Sequence, residues 1–85
     1  MIIDARKFKG DKSFRPMTAI GAVSAFIDGM NVGDSHRVEK FIDPLGDPLG
    51  DLRLSALISK LRGKRVFKVI TRGVTDAVAV VHRIA

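Results

Sequence analysis

One tetrapeptide occurs twice in direct succession in this chain, as Asp43-Pro44-Leu45-Gly46 and Asp47-Pro48-Leu49-Gly50. No regular element can run through it. Proline has no backbone N–H to give to a helix or a sheet ladder, and its ring fixes φ at about −65°, a value that starts a turn. Each aspartate can cap with its carboxylate, so the block reads as two consecutive turns. Two copies of four residues are far below the period that stacked repeat architectures need. Asp43, Asp47 and Asp51 recur every four residues, but the intervening Pro and Gly make them turn and cap residues, and the calcium-loop pattern is missing.

Upstream of the break, Ile20, Val23, Phe26, Ile27 and Met30 recur at three- and four-residue steps, which predicts a helix over 16–30 with one buried face. Thr18 can cap its first turn, and Gly29 or Asn31 can end it in a left-handed conformation. Residues 34–41 alternate loosely and allow a short edge strand. The first fifteen residues hold Arg6, Lys7, Lys9, Lys12 and Arg15 around Phe8 and Phe14, with Gly10-Asp11 interrupting any long helix. They read as a short strand or a basic N-terminal arm, a solvated extension ahead of a single domain over 16–85.

Downstream, Asp51 is a good N-cap for a helix over 52–62 in which Leu54, Leu57, Ile58 and Leu61 form the apolar stripe and Gly63 supplies the stop. The opposite face presents Ser55, Ala56 and Ser59, with Arg53, Lys60 and Arg62 at its edges. Residues 64–72 and 77–84 are β-rich and flank a turn at 73–76, which predicts a hairpin. On its first strand Arg65, Phe67, Val69 and Thr71 share a side, and Lys64, Val66, Lys68, Ile70 and Arg72 share the other. On the second, Val78, Val80, His82 and Ile84 point one way, giving each strand one plausible core face.

Eighty-five residues make one domain with a thin core. The chain has no cysteine, which excludes disulfides and thiolate zinc sites and fits a reducing compartment. No apolar run approaches the length of a membrane span and the first residues lack a signal-peptide core, so a cytoplasmic protein without membrane contact is expected. Catalysis is not expected either. There is no Gly-rich phosphate loop, no tyrosine and no glutamate cluster, and His36 and His82 lack the spacing of a metal pair, so neither a metal nor a cofactor is called for.

The net charge of +6 is unevenly placed: +3 over residues 1–15, −3 over 16–50 and +6 over 51–85. A basic helix small enough at its centre to enter a groove, followed by a basic hairpin, suits duplex DNA. Arg53, Lys60 and Arg62 would reach bases or phosphates, and the hairpin, with Lys64, Arg65, Lys68 and Arg72, would grip the backbone or minor groove beside them. The same charges suit an acidic partner protein. RNA binding through the sheet is poorly served, because Phe67 is the only aromatic in either hairpin strand.

The order helix, short strand, turn region, helix and hairpin resembles that of winged helix-turn-helix domains. Leu54-Ser55-Ala56-Leu57-Ile58-Ser59-Lys60-Leu61-Arg62-Gly63-Lys64-Arg65-Val66 is similar to the recognition helix and first wing strand of such regulators. The resemblance spans about residues 17–85 and implies a small α+β fold, helix-strand-turn-helix followed by a C-terminal β-hairpin, and a role in transcriptional regulation. By it, Arg53, Ser55, Ser59, Lys60 and Arg62 would face the major groove, with residues 72–76 as the wing tip. A homodimer would double the short site that one domain reads, with the first helix and the N-terminal arm as its pairing surface. The family places a second helix ahead of the recognition helix, where this chain has the broken segment 43–50.

Overall fold

The computed structural model describes residues 1–8 and 18–85. The cations Lys9, Lys12 and Arg15, the Gly10-Asp11 break and the expected helix start at Pro16 lie outside the described residues. The described chain is an α+β domain. Strand β1 (Ile2–Asp4) leads into a 3-10 turn at Ala5–Lys7, followed by α1 (Ala19–Asp28), β2 (Ser35–Val38), β3 (Lys40–Ile42), α2 (Asp51–Leu61), β4 (Phe67–Ile70) and β5 (Ala79–Arg83).

Two sheets are formed among the described residues. In the larger, β5 is the middle strand, antiparallel to β2 on one side and to β4 on the other, with Val81 opposite His36 and Val69. In the smaller, β1 lies parallel to β3, with Ile3 opposite Phe41. The edge strand expected over 34–41 is therefore two strands, divided at Glu39, that serve different sheets. β1 is the short strand expected in this part of the N-terminus; with Ile3 and Ala5 buried in the core, residues 2–8 belong to the domain and are no solvated extension.

Thr18 caps α1 as expected, its hydroxyl accepting from the Gly21 N–H at 3.0 Å. The buried stripe is Ala19, Ala22, Val23 and Ile27, whereas Ile20 is 45% exposed. The two alanines bring the helix backbone close to its neighbours, and the wider side chain at position 20 is left outside. Gly29 ends the helix at φ −80°, in the right-handed region, and Asn31 is not left-handed either. Helix α2 packs on α1 through Leu54 and Ile58, both essentially inaccessible. Each contributes about 1.5–3 kcal/mol by burial. Its N-cap is Gly50 rather than Asp51, which stands one residue inside and folds its carboxylate onto the Leu52 N–H at 2.7 Å.

Along β5 the buried residues are Ala79 and Val81, so Val80 and His82 are on the outer side and the expected core side of this strand is reversed. On β4, Phe67 and Val69 pack on the core and Lys68 is exposed, in keeping with the alternation. Both hairpin strands are shorter than expected. Residues 71–78 form the loop between them, entered at Gly73 and closed through Asp76 in a left-handed conformation (φ 57°).

The two copies of the tetrapeptide fold differently. In the first, the buried Asp43 carboxylate accepts from the backbone N–H groups of Leu45 and Asp47, both at 2.9 Å, and Gly46 turns the chain at φ +90°. The second runs back alongside β3, where Pro48 bridges to Ile42 and the Leu49 N–H donates to the Phe41 carbonyl at 2.8 Å. Leu49 is consequently buried and Leu45 is 80% exposed.

Candidate nucleic-acid interface

Helix α2 presents Leu52, Arg53, Ala56, Ser59 and Lys60 to solvent, and Ser55 is half-buried at the margin of that face. At about 100° per residue, Leu52, Ala56 and Ser59 lie opposite Leu54 and Ile58, and Arg53 and Lys60 lie together along one flank. Between Asp51 and Asp76 the chain has seven lysines and arginines and no acidic residue. Of these, Arg53, Lys60, Arg62, Lys64, Lys68 and Arg72 are exposed. Among the described residues none of them is paired with a carboxylate. Arg62 leans on the end of its own helix, donating through Nη1 to the Gly63 and Arg65 carbonyls at 3.3 and 3.1 Å.

Arg65 is the exception. Its guanidinium donates to the Arg62 and Leu61 carbonyls at 2.9 and 3.1 Å, pairs with Asp28 at 2.6 Å and stands 5.7 Å from the centre of the Phe67 ring. It satisfies the last carbonyls of α2, which have no partner inside the helix, and ties that helix to the end of α1. Arg65 is thus engaged within the scaffold and, unlike the other six cations of this stretch, paired with a carboxylate. Arg83 is held in the same way, donating to the Met30 carbonyl at 2.7 Å. Gly63, at φ +62°, makes the reversal from α2 into β4 without the penalty a side chain would bring.

No family model, curated protein or solved structure matches this chain. The site must therefore be read from its own geometry. Two contributors were not apparent from residue pattern. Leu52, 77% exposed, lies in the first turn on the outward face, beside the small side chains of Ala56 and Ser59. Arg37, on β2, donates through Nη2 to the carbonyl of Thr75, so the loop 71–78 is tied down to the far edge strand of the larger sheet. The Val78 N–H adds a bond to the Val38 carbonyl at 2.8 Å, and the loop that carries Arg72 is held at both points.

The two histidines point to opposite faces of the larger sheet: His36 sits against Phe26 on the core side, and His82 lies opposite Ser35 and Lys68 on the outer side. Among the described residues no three His, Cys, Asp or Glu side chains come together as metal ligands would. No helix among them is long and apolar enough to cross a membrane.

Proposed function

We propose that this domain binds duplex DNA as a small regulator, laying the outer face of α2 in the major groove and the 71–78 loop along the neighbouring backbone. The observation that carries this reading is the surface of α2: small residues at its centre, unpaired cations on its flank, and, after Asp51 in its first turn, no carboxylate before Asp76. Small side chains let the helix approach base edges, and flexible cations reach the phosphates on either side. The element order also supports it, because α1, β2, α2 and the β4–β5 hairpin follow one another as in winged helix-turn-helix domains, with β5 between β2 and β4. Where that family has a further helix, this chain has the turns at 43–50 and the strand β3, so α2 is the helix available for a groove. A homodimer would place two such helices on a two-fold site.

The test is a salt titration of binding to duplex DNA by fluorescence anisotropy. Four or five phosphate contacts give a slope of about −4 in log K against log salt, a loss of about two orders of magnitude between 50 and 200 mM. Lys60→Ala and Arg53→Ala should each lower affinity and make the slope shallower by about one contact, with the circular dichroism spectrum unchanged. Affinity no better than that of an unrelated basic protein of equal charge refutes the reading.

The outer face of the larger sheet favours a second reading. Val66 and Ile84 are 43% and 55% exposed beside Lys68 and His82, a mixed apolar and basic surface that suits an acidic polypeptide. Retention of an acidic partner after nuclease treatment of an extract would support it, and loss of every partner would exclude it.

A further inference from the structure

Leu52 is 77% exposed although it stands on a well-formed helix whose other leucines all face inward or are half-buried. It shares its face with Ala56 and Ser59, with Arg53 and Lys60 along one flank and Asp51 beside it at the helix start. An exposed aliphatic side chain beside the cations of this face matches one feature of the major groove. Every base pair there offers hydrogen-bonding atoms, but only thymine offers a methyl group, at its C5 position. Arg53 and Lys60 supply the charge complementarity that brings this face to phosphate, and Ala56, one turn further along, adds a second apolar contact of low profile.

We propose that Leu52, supported by Ala56, is a specificity-determining residue that reads thymine 5-methyl groups in the major groove. The inference rests on the duplex reading above and assigns to it a preference: the bound sites carry thymine at one or two fixed positions, recognised by apolar contact rather than by hydrogen bonding. Position 52 sets the strength of that preference, and the flanking cations set overall affinity.

The experiment begins with selection of bound duplexes from a randomised library by the full chain. Each thymidine in an enriched duplex is then replaced by deoxyuridine, which removes only the methyl group. The wild-type chain should lose about fourfold in affinity at one or two positions, the worth of one methyl-sized contact. Leu52→Ala should bind the thymine and uracil forms of those positions equally, and Leu52→Ile should restore the difference. The high exposure of Leu52 keeps both variants folded, which circular dichroism checks. Enriched duplexes that are bound with no loss at any deoxyuridine position, or a Leu52→Ala variant that keeps the full loss, overturn the inference and leave duplex binding standing. A library that yields no enriched duplex overturns both.

Discussion

Replacing Leu49 and Leu45 by alanine, one at a time, should give very different losses of stability from the same chemical change. Both leucines sit in the pentapeptide Asp-Pro-Leu-Gly-Asp, so their local surroundings in the unfolded chain are identical. Contributions from the unfolded state, which often blur such comparisons, largely cancel. In the folded chain Leu49 is 3% exposed within the core cluster and Leu45 is 80% exposed. Truncating a buried leucine costs about 2–5 kcal/mol, from lost transfer free energy and the cavity left behind. We take about 3 kcal/mol for Leu49→Ala, because the site lies at a margin formed by turns that can partly close. An exposed substitution away from special features stays within about 0.5 kcal/mol, which is the expectation for Leu45→Ala. For a domain of this size that difference amounts to a fall in Tm of about 12–24 °C for Leu49→Ala against about 4 °C or less for Leu45→Ala. Urea unfolding followed by far-UV circular dichroism reads both. Equal losses for the two variants, or a loss below about 1 kcal/mol at Leu49, would refute the claim that the second copy is core and the first is surface.

Three further outcomes follow from the scaffold. The Arg6 guanidinium, bonded to both carboxylate oxygens of Asp4 at 2.9 and 2.7 Å, holds the Asp4 pKa down to about 2 from 3.8. A depressed folded-state pKa contributes stability above 3.8 that is lost as pH falls through about 2, so the margin of wild type over Asp4→Asn should shrink across that window in acid titrations. Arg65→Ala should destabilise by about 2 kcal/mol, since it removes helix-end bonds as well as an ion pair, while Asp28→Asn, at the exposed end of that pair, should cost about 0.5 kcal/mol in the same urea assay. Gly46→Ala should cost about 1–2 kcal/mol from its left-handed backbone alone, because the nearest atom to the added methyl, Arg6 Nη1, stands at an ordinary 3.5 Å. A near-neutral Gly46→Ala would mean that the turn can reorganise.

Much of the fold was legible because short-range rules governed it. Thr18 capped α1, the Leu54 and Ile58 pair buried one side of α2, and the two β-rich segments of the C-terminal third paired as a hairpin around the turn residues at 73–76. The misreadings came from contacts distant in sequence. Nothing local distinguishes the two faces of β5, where Ala79 and Val81 alternate with Val80 and His82; the first pair joins the buried core cluster, a choice made by contacts distant in sequence. Glu39 looked like one residue of a continuous strand, yet β1, arriving from the other end of the chain, pairs with β3 and draws it out of the larger sheet. The same partner buries Ile3 and Ala5, which an isolated N-terminus would leave in water.

The candidate interface shows a similar division, drawn by side-chain reach. Arg62 and Arg65 are three residues apart in a basic run around a glycine, and pattern alone gave both the same role. The fold separates them by direction. Arg62, the C-cap of α2, stays exposed while its Nη1 donates to the Gly63 and Arg65 carbonyls just past the helix. Arg65 follows the reversal at Gly63, enters the first hairpin strand on the side of Phe67 and Val69, and so points back toward α1 and the open carbonyls of α2. An arginine at that point of the alternation meets a helix end whose unpaired carbonyls and negative dipole attract a cation, and Asp28 adds a carboxylate within reach. A lysine there would bring one point charge, whereas the guanidinium serves Asp28, Leu61 and Arg62 at once. Arg53, Lys60, Arg62, Lys64, Lys68 and Arg72 stay exposed with no carboxylate partner among the described residues, and it is this set on which the duplex reading draws.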